Sequence, residues 1–219
     1  MLTVTAAQLD AWLAAFAFPL ARVLGLVGAG PVFGNNSLPR RVKLVVGLAV
    51  GVGLAPAFPS VPAVPLDSWA GLLILFEQTL IGIAMGLAMR VAFAALDLMG
   101  ELISLQMGLS FATFFDPLAG GQTAVVAEFL TLLATLVFLS LNGHLLMLDT
   151  LARSFEWFPI GSTNLNKEGW MVLVRSGAMI FAAGLLMALP VVTALLITNI
   201  ALRILTRAAP QLNLVAIGF

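Results

Sequence analysis

The sequence contains no cysteine, a single histidine and few charges, with Lys, Arg, Asp and Glu making up 9% of its 219 residues. Without cysteine there is no disulfide and no thiol chemistry. His144 alone leaves no histidine cluster for a catalytic metal, and the carboxylates are mostly scattered singly. Ten basic and ten acidic residues cancel, so no strongly basic face points to nucleic acid as a partner. Asp10 but no basic residue precedes Arg22. The N-terminus therefore lacks the positive region of a signal peptide and reads as part of the mature protein. These absences weaken any enzyme reading and imply no cofactor.

What is abundant is apolar surface. At 61% hydrophobic, the chain lies far from the soluble balance of about 45–50% apolar and about 25% charged residues. The runs imply an all-α, multi-helix integral membrane-type protein with broken helices and hairpins. The first run, Leu9 to Val32, carries Arg22 in its interior. A guanidinium at mid-bilayer costs at least ~2.5 kcal/mol, so Arg22 should pair with a carboxylate or face water. It is either a snorkelling or protein-buried structural arginine, or a residue of a transport path.

GNNSLPRRVK follows, a turn built on Asn35, Asn36, Ser37 and Pro39, with Arg40, Arg41 and Lys43 as the basic cluster. The next run, Leu44 to Ala55, spans about 18 Å against a hydrocarbon core of about 30 Å, so it cannot cross alone. Either the proline-rich APAFPSVPAVP extends it or it is half of a packed hairpin. From Ser68 to Leu105 the chain is apolar again but is interrupted by Glu77, Arg90, Asp97 and Glu101. Asp97 and Glu101, four apart, share a helix face that would not suit lipid. The Gly82, Gly86 and Gly47, Gly51 pairs permit close helix approach. Met85, Met89, Met99 and Met107 read as core filling or as an adaptable seal.

The stretch Met107 to Thr123, MGLSFATFFDPLAGGQT, interrupts the helical pattern. Pro117 restricts Asp116 to extended backbone, and Gly120-Gly121 opens angles closed to other residues. The loop is also apolar, through Phe111, Phe114 and Phe115. Irregular apolar backbone at membrane depth needs shelter in protein or beside a water-filled cavity. Glu128 then precedes the run Phe129 to Leu148, where Asn142-Gly143-His144 reads as a turn. His144 fits a hydrogen-bonded turn residue better than a proton relay, which needs chained partners. Trp157, Phe158 and Trp170 flank a polar segment in the manner of an interfacial belt. The charge-free run Ser176 to Leu202 carries Pro190, expected to kink it.

With the N-terminus outside, Arg40, Arg41, Lys43, Arg203 and Arg207 fall inside, against Arg153 and Lys167 outside, which agrees with the positive-inside bias. So many interior charges and short helices suggest one piece of a larger assembly.

Three blocks, PVFGNNSLPRRVK, GLSFATFFDP and the tail RAAPQLN followed by Gly218-Phe219, carry a resemblance to the FliR/SctT family of export-gate proteins, across essentially the whole chain. The resemblance implies an integral subunit of a helical, cone-like gate in the bacterial inner membrane at the flagellar basal body. That gate is built with FliP and FliQ, works beside FlhB and FlhA among membrane lipid, and passes unfolded flagellar substrates. It implies a FliP-like part over 1–123 and a FliQ-like hairpin part over 124–219, with a further apolar segment beyond the tail that this sequence does not contain. The apolar loop, about 107–123, would be a pore plug, with Phe111, Phe114 and Phe115 obstructing and Asp116, Pro117, Gly120 and Gly121 shaping it. Arg22, Glu77, Arg90, Asp97 and Glu101 would be buried charges with partners in neighbouring subunits. The tail residues Arg207, Pro210, Gln211 and Asn213 would make intersubunit or loop-anchoring contacts, the plain reading of Arg207 being a solvated end.

Two other classes compete. A secondary transporter or permease would also show broken helices and midplane charges, but no internal inverted repeat is visible. An intramembrane enzyme would have only Asp97, Glu101 and His144 to work with.

Overall fold

A computed structural model describes residues 5–34, 38–58, 62, 64–108, 124–162 and 167–208, without the side chains at 6, 7, 57 and 167. All regular structure among them is helical. Six α-helices follow in order: α1 Ala6–Ala29, α2 Arg40–Leu54, α3 Trp69–Gln106, α4 Val125–Ser140, α5 Gly143–Trp157 and α6 Lys167–Ala208. Three apolar stretches among the described residues are long enough to cross a membrane, Gln8–Ala29, Trp69–Gln106 and Glu168–Ala208. The bent pair of α4 and α5 makes a fourth if counted as one span.

Local chemistry sets most of the boundaries. Thr5 and Gln8 form a capping box at the start of α1, each side chain accepting from the other's backbone N–H. Pro39 precedes α2, and a short 3-10 turn, Ala55–Ala57, ends it at Pro56. Ser68 opens α3, its hydroxyl accepting from Gly71 N at 3.0 Å. Gly108, at φ 77°, follows the end of α3 and accepts the left-handed geometry without steric cost. The turn expected at 142–144 is present: Asn142 adopts φ 57°, and α4 and α5 bend by 67° across it. Asparagine tolerates this region better than most side chains. Helix α6 continues through Pro190 as one element.

The chain divides into two units, Met1–Arg90 with Phe138–Arg175, and Val91–Val137 with Ser176–Phe219. In the first unit the core joins Phe18, Leu26 and Val27 of α1 to Met147, Leu151 and Phe155 of α5. Helix α3 lies so close to α1 that a Cβ at Gly82 would collide with the Arg22 backbone, and one at Gly25 would meet the Thr79 carbonyl. On another side of α1, Leu20 and Leu24 cover Gly51 and Gly47 of α2.

In the second unit small residues again set the spacing. Gly100 faces Ala127, and Gly184 of α6 faces Ala95 and Leu98. The Thr131 hydroxyl of α4 donates to Asp97 Oδ1 of α3. The α3–α4 approach therefore carries a polar tie beside close backbone packing.

Candidate functional site

The described polar centre of the first unit is Arg22, fully buried and placed on α1 among α3 and α5. Its Nε donates to Gln78 Oε1 at 2.8 Å, and Nη2 donates to the same oxygen and to Phe158 O. Nη1 donates to Ser154 O at 2.7 Å and Ser154 Oγ at 3.1 Å. Each of the five guanidinium N–H groups thus has an acceptor within this chain. The guanidinium also lies 4.3 Å from the centre of the Phe155 ring, which Phe58 flanks.

This arrangement explains how an arginine survives in an apolar helix. Ser154 lies in the last turn of α5 and Phe158 caps it, so the cation occupies the negative end of a helix dipole and satisfies carbonyls there. Arg22 finds its hydrogen-bond partners within this chain. Because α5 folds back beside α1, the guanidinium is consumed by the chain's own carbonyls and by Gln78. Sequence reasoning missed Gln78, Ser154 and Phe158 as its partners. A lone carboxamide beside Glu77 in an apolar run was the available signal for Gln78; backbone acceptors leave none.

The remaining expected charges are placed differently. Glu77 is 8% exposed, and among the described residues no hydrogen bond or ion pair reaches its carboxylate; Arg22 acts on it only through space. Asp97 is half-buried and held by Thr131, whereas Arg90 and Glu101 are exposed on the chain's own surface. Arg207 is exposed in the last turn of α6. Pro210, Gln211 and Asn213 lie outside the described residues. So do Phe111, Phe114, Phe115, Asp116, Pro117, Gly120 and Gly121, the whole set expected to form the plug. Of the basic cluster, Lys43 donates to Gly34 O at 3.0 Å and ties the start of α2 to the turn after α1. His144 is half-buried, its Nδ1 without a partner among the described residues.

A groove of about 540 Å³ between α1 and α3 is lined by Ala21, Leu24, Gly25, Gly28, Thr79 and Ile83, among others. Its one side-chain hydroxyl, on Thr79, already donates to Leu75 O. A polar solute would find no side-chain donor there, which gives the permease reading no site in this groove.

A helical chain with several membrane-length apolar segments, small-residue helix contacts and a buried, internally satisfied arginine is of the class of polytopic membrane-type proteins. Comparison narrows the class. Residues 13–219 match the family described as bacterial export proteins, family 1. The chain is 44% identical over 219 residues to the flagellar biosynthetic protein FliR of Pectobacterium carotovorum subsp. carotovorum, and equally to that of Escherichia coli strain K12. Both alignments span all of this chain and 84% of the relative. The protein of the same name from Bacillus subtilis strain 168 is 28% identical over 207 residues, 93% of this chain and 80% of the relative. The chain belongs to this family of bacterial export proteins, and its role lies in flagellar export.

Proposed function

We propose that the chain is a structural subunit of the membrane-embedded flagellar export gate, forming part of a protein-conducting channel with FliP-type and FliQ-type subunits. The carrying observation is the similarity to flagellar FliR proteins along the whole chain. In this reading the chain sits in the inner membrane at the flagellar basal body, near FlhB and FlhA. Unfolded flagellar subunits pass through, and the chain performs no reaction of its own.

The apolar loop 107–123 is the seal. Phe111, Phe114 and Phe115 exclude water and ions by dewetting a constriction, while a threading polypeptide can displace them because no covalent or ionic bond holds them. Asp116, Pro117, Gly120 and Gly121 give the loop its turns. Pro210, Gln211 and Asn213 with Arg207 anchor the tail against neighbouring subunits, since polar groups left unsatisfied there would be costly.

The test is deletion of residues 111–121 in the assembled complex. Assembly is expected to persist while ion conductance across reconstituted bilayers rises. Conductance equal to that of the intact complex would show that the loop is not the seal.

A further inference from the structure

Side-chain geometry separates Arg22 and Glu77, two charges that sit alike in apolar stretches of the sequence. Arg22 has spent all five donors on Gln78, Ser154 and Phe158. It has none left for Glu77, one residue before Gln78 on the same helix. Glu77 is 92% buried on α3 with no hydrogen bond or ion pair among the described residues. The 8% of Glu77 that stays exposed opens on the outside of α3.

That surface is apolar. Leu73, one turn before Glu77 on the same face, is 51% exposed, and the adjacent Phe76 is 63% exposed. An acyl chain could cover both residues but would offer the carboxylate nothing. A carboxylate has about four acceptor positions, and its strongest bonds are charge-assisted ones from a cation. Left unpaired in such surroundings it is expensive.

We propose that Glu77, with Leu73 and Phe76 beside it, is a docking point for an apolar helix of a neighbouring subunit that carries a lysine or arginine. Resting on the gate reading, this names the chemistry of one contact in it. The apolar side chains cover the partner helix, and the carboxylate sets its depth and rotation by pairing with its one cation. Arg22 acts on Glu77 only at a distance, its own charge being met by the end of α5, by Gln78 and by the Phe155 ring. The local negative charge of Glu77 therefore remains available to the partner.

The experiment uses the full chain co-expressed with its partner subunits. Glu77→Gln keeps shape and acceptor capacity but removes the charge; it should lower the yield of purified complex on the order of tenfold. Glu77→Lys should lower it further. A photoreactive p-benzoylphenylalanine at position 76 should cross-link to one helix of a partner subunit. Exchange of the basic residue on that helix for glutamate should then restore assembly of Glu77→Lys. Wild-type yield for Glu77→Gln overturns the inference, because a neutral acceptor would then suffice. Cross-linking to lipid alone overturns it as well. Failure of the wild-type chain to assemble with those subunits would instead remove the gate reading, and this inference with it.

Discussion

Arg22 shows how a residue that looks misplaced is accommodated by its surroundings. A mid-helix arginine in an apolar segment is unfavourable by itself, yet here five hydrogen bonds, a helix end and an aromatic face surround it. Arg22→Ala would leave the Ser154 and Phe158 carbonyls and Gln78 without their donor, and would strip Glu77 of its nearest opposite charge. Destabilisation of about 3 kcal/mol or more is expected, read as a lowered melting temperature of the detergent-solubilised complex. Arg22→Lys should fall between Ala and wild type, since an ammonium brings three donors and no planar fork. A melting temperature unchanged in Arg22→Ala would show that the cluster is not stabilising. Arg22 was visible in the sequence as an anomaly. Its partners were not, because they stand 56, 132 and 136 positions away and two of the acceptors are main-chain carbonyls.

Helices pack here through absent side chains. Gly82 of α3 and Gly25 of α1 lie in the contact where the two backbones meet, whereas a Cβ on Gly28 would meet nothing within 4 Å. Gly82→Leu should therefore force α1 and α3 apart and abolish recovery of folded chain. Gly28→Ala should be neutral or stabilising by up to about 1 kcal/mol through helix propensity. Size-exclusion profiles and melting curves of the two variants check this. Equal behaviour would mean that the α1–α3 contact is not tight.

Element ends followed similar logic. The run read as Leu44 to Ala55 begins helically at Arg40, and the run read as Ser176 to Leu202 extends over Lys167–Ala208. Hydropathy marks where a chain is apolar, but Arg, Lys and Glu are good helix formers, so the helices continue past their apolar stretches. The bend at Asn142 was legible because few residues other than Asn and Gly accept that geometry.

Taken as a molecule, the isolated chain leaves a large apolar surface uncovered. Trp12, Phe76, Leu136, Phe181 and Ile197 are all more than half exposed. Lipid can cover part of this, but Glu77, without a partner among the described residues, needs something lipid tails lack. The chain expressed alone should aggregate or require excess detergent, and should become monodisperse when co-expressed with FliP-type and FliQ-type subunits. A stable, solute-transporting monomer or homodimer would favour the permease reading.

Composition and order along the chain were enough to establish a helical membrane-type protein, the turn at 142 and the positions of its unusual charges. Apolarity, proline geometry and left-handed backbone angles are local properties, written residue by residue. The division of labour among the charges needed three-dimensional packing. Arg22 is satisfied because α5 returns its C-terminal end to α1 opposite Gln78, and among the described residues Glu77 has no partner because Ser154, Phe158 and Gln78 together take every donor Arg22 has. Hydrogen bonds and burial here belong to groups brought together across 56 to 136 positions, and chain entropy leaves no local trace of which pairs will meet.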